Sequence, residues 1–193
     1  MLFLSRKTIE ELSVTPHVGI GPLKLGMSSA EILCSLYRLR EKLSLPTSED
    51  ILISQTEETD AITFRYVDSS FFFMARYRDD RAIEIAVGSD LRDQLPILLG
   101  EIDVFRTTAE DLIATLKSQD TCLCDMEDEQ LSTNYEFPKL GIRLWREMPF
   151  HPKLLSDPAY MPAYMEEMKF VIDEMYRYLY FEIIAVQKIT GNL

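Results

Sequence analysis

Leu23-Lys24-Leu25-Gly26-Met27-Ser28-Ser29-Ala30-Glu31 is the stretch from which the fold can be read. Residues 23–25 read as a short extended segment, and Gly26 as a turn residue ahead of a helix. Ser28 and Glu31 have capping-box spacing, in which each side chain satisfies an orphan N–H of the first helical turn. The helix that follows puts Ile32, Leu36, Leu39 and Leu43 on one stripe, with Leu33 and Tyr37 beside it. Arg38, Arg40 and Glu41 fall mostly elsewhere, and Pro46 follows the helix end.

Beyond the helix, Ile51-Leu52-Ile53 reads as a short strand and Glu57-Glu58-Thr59-Asp60 as an acidic loop. Ile62, Phe64 and Tyr66 alternate with Thr63 and Arg65, which is the strand period. Turns at Asp68-Ser69-Ser70 and Asp79-Asp80 set off a strand over residues 71–77 and another built on Ile83, Ile85 and Val87. Three strands with short turns predict an antiparallel meander. Upstream, residues 8–12 read as a short helical turn, and Pro16, Gly19, Gly21 and Pro22 punctuate the chain.

The same order returns downstream. Residues 102–110, Ile-Asp-Val-Phe-Arg-Thr-Thr-Ala-Glu, follow the pattern of residues 23–31, and Thr107 stands 79 residues after Ser28. Thr107 and Glu110 are the expected second cap, and Leu112, Ile113 and Leu116 the expected buried stripe. A strand over residues 121–124, an acidic loop over residues 125–129, and strands around Tyr135, Phe137, Ile142 and Leu144 complete the parallel. Ile184-Ala185-Val186 stands where the first unit has Ile85-Ala86-Val87, 99 residues earlier. The larger offset implies an insertion of about 20 residues, of a size that surface connections tolerate. Pro149, Pro152 and Pro158 mark it, and residues 161–176 read as its helix, with Glu166, Glu167, Asp173 and Glu174 exposed. The expectation is one α+β domain over residues 1–193. It consists of two pseudo-repeats, about 16–90 and 96–189, each a helix plus an antiparallel meander, sharing one sheet.

Composition limits the function. The 193 residues carry 32 acidic against 20 basic side chains, a formal charge of −12. Such a surface repels phosphate backbones and anionic membranes, and it steers in a basic protein. The plainer reading of the charge is solubility. Three cysteines, Cys34, Cys122 and Cys124, form no disulfide framework and fit a reducing compartment. The apolar opening of residues 1–4 meets Arg6-Lys7 too soon for a signal peptide, and no window is long enough for a membrane span. The expected location is the cytoplasm.

No catalytic or cofactor motif stands out. His17 and His151 each sit beside a proline and read as loop residues. Cys122-Leu123-Cys124 has the wrong spacing for zinc; those thiols and Cys34 read as core. The glycines around residue 20 make no phosphate cradle, and neither acidic run has the glycine of a calcium loop. No cofactor and no metal are expected. The acidic runs read either as solvated loops or as a patch meeting a basic partner, contributed by Glu57, Glu58, Asp60, Asp125, Glu127, Asp128 and Glu129. The aromatics read mainly as core. Phe72 is the exception, because a strand turns it away from Phe71 and Phe73, toward a second covered face or a binding face.

Residues 18–31, Val-Gly-Ile-Gly-Pro-Leu-Lys-Leu-Gly-Met-Ser-Ser-Ala-Glu, resemble the opening of small uncharacterised bacterial proteins with a GIGPIxLGM[ST]xxEV segment. Residues 178–186 look like their terminal strand. The helix-then-strands unit is also similar to small lipoprotein modules, whose lipobox cysteine is absent here, and to tandem-repeat folds of the β-lactamase-inhibitor-protein kind, which bind proteins through a sheet surface. Some relatives of the first group look like immunity proteins of polymorphic toxins. The resemblance implies a non-enzymatic binding or inhibitor protein, in its sharpest form an immunity protein occluding the cationic site of a toxin domain. The alternatives are a small hydrolase or ligand-binding protein, for which a pocket holding His17 or His151 beside a carboxylate would speak, and a structural module of an oligomer with residues 71–74 at its interface.

Overall fold

The structure, a computed structural model, describes residues 10–45, 50–150 and 175–188. In chain order, β1 (Leu12–Thr15), β2 (Gly19–Ile20) and β3 (Leu23–Lys24) precede α1 (Ser29–Lys42). Four strands follow, β4 (Leu52–Glu57), β5 (Ile62–Asp68), β6 (Phe71–Arg78) and β7 (Arg81–Gly88). After a 3-10 turn at Ser89–Asp93 come β8 (Ile97–Leu99), β9 (Ile102–Asp103) and α2 (Ala109–Lys117). Then come β10 (Leu123–Cys124), β11 (Asn134–Phe137), β12 (Ile142–Trp145) and β13 (Ile183–Gln187), with 3-10 turns at Glu129–Leu131 and Tyr176–Leu179. The fold is α+β with mostly antiparallel sheets.

α1 starts where its cap places it. Ser28 Oγ accepts from Glu31 N, and Glu31 Oε2 accepts from Ser28 N at 2.8 Å. Ile32, Leu36 and Leu39 are buried as their spacing predicts, and Leu43 packs against the same core. Arg40, expected on the outer side, is buried as well. It is paired with Asp68 at 3.4 Å and stacked on Tyr37, which lets its aliphatic stem cover apolar surface. α2 buries Leu112, Ile113 and Leu116, but its cap lies one residue later than expected. Thr108 Oγ1 takes the N–H of Asp111, because Thr107 N is already bonded to Asp103 O in the preceding turn.

The expectation of a single sheet is corrected. Eight strands form one antiparallel sheet in the order β10-β11-β12-β13-β7-β6-β5-β4. Five shorter strands form a second, in the order β3-β2-β1-β8-β9, where β1 runs parallel to β8 with Leu12 opposite Ile97. Leu12 therefore begins a strand, not the end of a helical turn. Strands of two to four residues are too short to show a clear period in sequence, which is why this sheet was not foreseen. The inserted helix expected over residues 161–176 lies outside the described residues, save for its end, where Tyr176 opens a 3-10 turn.

In the large sheet β7 pairs with β13, with Ala86 opposite Ala185. One face packs on the helices. Tyr66, Phe73, Ile85, Val87, Ile184, Val186, Leu144 and Tyr135 all join one core with the α1 and α2 stripes. The β6–β7 hairpin turns through Asp79 and Asp80, both at positive φ, as a primed turn requires. Asp80 Oδ1 accepts from the N–H and hydroxyl of Ser29, which pins this turn to the start of α1 and lowers the Asp80 pKa. Gly141 stands at φ 60 in the β11–β12 turn, and an added Cβ would lie 2.4 Å from Gln187 O and 2.6 Å from His17 Nδ1. Only glycine fits there.

The thiols depart from the core reading. Cys34 and Cys124 are exposed and Cys122 is half-buried. Cys34 falls off the buried stripe of α1, and β10 lies at the sheet edge, where the inward face has little to pack on. Burial pushes the Cys122 thiol up to about 11, so it is not ionised at neutral pH.

Tyr66 and Tyr77 meet hydroxyl to hydroxyl at 2.9 Å in the core, and burial raises the pKa of both. Tyr77→Phe leaves a buried hydroxyl without its partner and is expected to cost about 1–3 kcal/mol in urea unfolding. Adding Tyr66→Phe is expected to recover most of that loss, since two apolar rings leave nothing unpaired. Ser28→Ala is expected to cost about 1 kcal/mol in the same measurement.

Candidate functional surface

The expected partner-binding carboxylates do not converge. The 58–61 loop joins β4 to β5 at one edge of the large sheet, and residues 125–133 join β10 to β11 at the other. The register places them at opposite ends of the strands as well. Ile62 shares its row with Tyr77, whereas Asn134 shares its row with Trp145, Ile183 and Gly88. Seven strand spacings of about 4.8 Å put the two edges roughly 34 Å apart. The loops occupy diagonal corners, so the single negative surface expected from sequence is not formed.

Most of these acids are also engaged locally. Glu58 accepts from Arg76 at 2.5 Å and from Thr63 Oγ1 at 3.3 Å. Asp60 pairs with Arg78 and, at 3.7 Å, with Arg76. Glu129 takes Lys117 Nζ at 2.7 Å, a bond that raises the lysine pKa. Asp125 closes its own loop, accepting from Thr133 N at 2.9 Å, Thr133 Oγ1 at 2.6 Å and Asn134 N at 3.1 Å. Glu57 ends β4, and Glu127 and Asp128 project from the far loop; all three are exposed.

Phe72 lies where strand alternation puts it, half-buried on the face turned away from the helices. The register adds what sequence alone did not reveal. Trp145 pairs with Ile183, Ile183 with Gly88 beside Phe72, Phe72 with Val67, and Val67 with Leu52. An apolar row therefore crosses the outer face from β12 to the free edge of β4. Leu52 is 69% exposed and Val67 37%. The next row has Arg143 and Arg65 toward its ends with Ala185, Ala86 and Met74 between them, and the row after it, Gln187, Glu84, Arg76, Thr63 and Thr56, is polar. Arg143 meets Glu84 at 3.1 Å, Arg65 donates to Thr56 Oγ1 at 2.7 Å, and Gln187 donates to Glu136 at 2.6 Å. Burial raises the Glu84 pKa against the opposing pull of Arg143 and Arg76. The signal for this row was in the sequence, in the outward parity of Val67, Phe72 and Trp145, but it needed the pairing order to become a stripe.

Of the two histidines, only His17 lies among the described residues. His17 Nε2 sits 2.7 Å from Lys139 O, and its Nδ1 is buried without a partner among the described residues. His151 lies outside them. No group of three or more His, Cys, Asp or Glu is placed to hold a metal among the described residues. A cavity of about 720 Å³ opens beside α2, walled by Ala109, Ile113, Ala114, Phe150 and Leu179 with the Lys117–Glu129 pair at its rim. Arg146 also borders it but is spent on structure. Its guanidinium donates to Ser132 O, Phe150 O, Tyr178 O and Tyr135 Oη, tying both ends of the long β12–β13 connection to β11. No described helix is long and apolar enough to cross a membrane.

No protein-family model matches the chain, and neither a curated protein nor a solved structure matches it.

Asp125 gives a pH signature of the far loop. Burial opposes its ionisation, but hydrogen bonds from Thr133 and Asn134 outweigh that and hold its pKa well below the usual carboxylate range. A lowered folded pKa contributes stability that is fully present at neutral pH and is lost as pH falls below about 4. Asp125→Asn is expected to flatten the acid limb of the stability profile, measured by denaturant titrations from pH 7 down to pH 3. An unchanged acid limb would mean the loop is not organised by this carboxylate.

Proposed function

We propose that this chain is a non-enzymatic protein-binding protein whose partner covers the outer face of the large sheet. The observation that carries the reading is the apolar row from Trp145 through Ile183, Phe72 and Val67 to Leu52, on a chain otherwise dominated by acidic surface. Aromatic and aliphatic anchors bordered by internally paired polar groups are the composition of an interface centre. The acidic loop at Asp125, Glu127, Asp128 and Glu129 lies just beyond the Trp145 end of that row, since Asn134 pairs with Trp145. That loop and the net charge of −12 favour a basic partner and a fast, salt-sensitive association. The sharper reading is an immunity protein of the kind the residue 18–31 segment resembles, acting by occluding a cationic toxin site.

The same reading includes an origin in two copies of one unit. Its support is the symmetry of the strand order, in which β4-β5-β6-β7 and β10-β11-β12-β13 meet through their last strands, each set led by a capped helix. The β12–β13 connection takes the place of the short β6–β7 turn.

A ligand-binding reading has one observation in its favour, the cavity beside α2, whose volume and apolar walls suit a small molecule. His17 is not among its lining residues.

The test is complex formation with the purified protein encoded beside this gene, followed by titration and stopped-flow mixing. Phe72→Glu is expected to weaken binding at least a hundredfold through faster dissociation. Reversing Glu127 and Asp128 to lysine is expected to slow association about tenfold at low salt and to matter little at high salt. A complex indifferent to Phe72→Glu, or no complex at all, would count against the reading.

A further inference from the structure

β4 is the outermost strand of the large sheet at its β5 side, and among the described residues nothing pairs with its free edge. All six of its residues, Leu-Ile-Ser-Gln-Thr-Glu, are exposed. Its pairing with β5 runs without interruption from Leu52–Val67 to Glu57–Ile62. The opposite edge strand, β10, is only two residues long. Exposed edges are normally blunted by shortness, proline, lysine or a bulge, because alternate residues present unpaired N–H and C=O groups to any passing strand. β4 has none of these protections. It also carries two large aliphatic side chains on its two faces, Leu52 outward at 69% exposure and Ile53 toward the helix side at 49%. Leu52 is the terminal member of the apolar row.

We infer that β4 is a strand-addition site, and that its occupant is an extended segment of a basic partner protein. This rests on the protein-binding reading and names how the partner engages. The added strand continues the sheet, and its alternate side chains cover Leu52 on one face and Ile53 on the other. Charge chooses the occupant. Exposed acids bracket the strand, with Asp50 at its start and Glu57, Glu58 and Asp60 at its end. Arg76 and Arg78 hold Glu58 and Asp60, and Arg65 rests on Thr56. Glu57 and Asp50 are not among the carboxylates these arginines contact. Antiparallel pairing of β4 with a second copy about Ser54 would bring Glu57 and Glu58 of each chain toward Asp50 of the other, like charge against like. A segment with β-branched residues at its centre and lysine or arginine at both ends meets those acids instead.

The test uses the full chain and a nine-residue probe peptide alternating valine and threonine, with two lysines at each end. Binding is followed by fluorescence anisotropy and by amide hydrogen exchange. The expected result is saturable, salt-weakened binding that slows exchange at alternate amides of β4. The same peptide with glutamate ends is expected to bind at least tenfold more weakly. Ile53→Lys, a change at an exposed position that keeps the far-ultraviolet spectrum, is expected to weaken the lysine-ended peptide at least tenfold. Binding without protection of β4 amides overturns the edge assignment while leaving the protein-binding reading standing, as does a partner complex insensitive to Ile53→Lys but lost with Phe72→Glu. No binding of the peptide, equal binding of both peptides, or a concentration-dependent dimer that protects β4 without any peptide each overturns the inference.

Discussion

The pairing of β7 with β13 is the constraint on which the rest of the molecule depends. It brings strands about 100 residues apart in sequence into one ladder, from Gly88–Ile183 to Glu84–Gln187. Ala86 and Ala185 stand opposite each other on the outer face, both buried by their neighbours despite their small size. On the inner face Ile85, Val87, Ile184 and Val186 contribute a β-branched strip to the shared core. Without that ladder there are two four-stranded sheets with an extra pair of free edges. With it there is one wide sheet whose helices share one face and whose other face carries the apolar row.

The fate of the charges follows from the same geometry. A sequence with 32 acids and 20 bases looks like a molecule with one negative patch. In the fold the arginines of the outer face, Arg76 and Arg143, lie across from Glu58 and Glu84, and Asp125 is consumed by backbone N–H groups of its own loop. The half-exposed Arg76–Glu58 pair contributes little stability, and both pairs compensate the field locally. What remains distinctive about the outer face is its apolar row. The row's ends differ in character. The Trp145 end lies beside an acidic loop, and the Leu52 end opens onto a backbone edge with no pairing strand among the described residues.

Much of the architecture was legible. The cap of α1, the buried stripes of both helices and the hairpins of β5, β6 and β7 all declare themselves through local rules: side chains that satisfy nearby N–H groups, and apolar periods of 3.6 or 2. A shared Ile-Ala-Val pattern at residues 85–87 and 184–186 was visible, but that Ala86 and Ala185 stand side by side was not. The second cap was misplaced by one residue because Thr107 and Thr108 both qualify, and only the turn from Asp103 decides between them.

By itself the sequence determined the two helices and their apolar stripes and the longer strands of the large sheet, in their order, since these depend on neighbours within a few residues. The tertiary structure alone decided how the strands line up across the sheet. It sent the two acidic loops to diagonal corners, assembled Trp145, Ile183, Phe72, Val67 and Leu52 into one row, and left β4 as the edge strand among the described residues. The physical reason is that strand pairing is made by backbone groups common to all residues. Which strands meet, and in what register, is set by the sum of side-chain burial across the whole sheet rather than by any local motif.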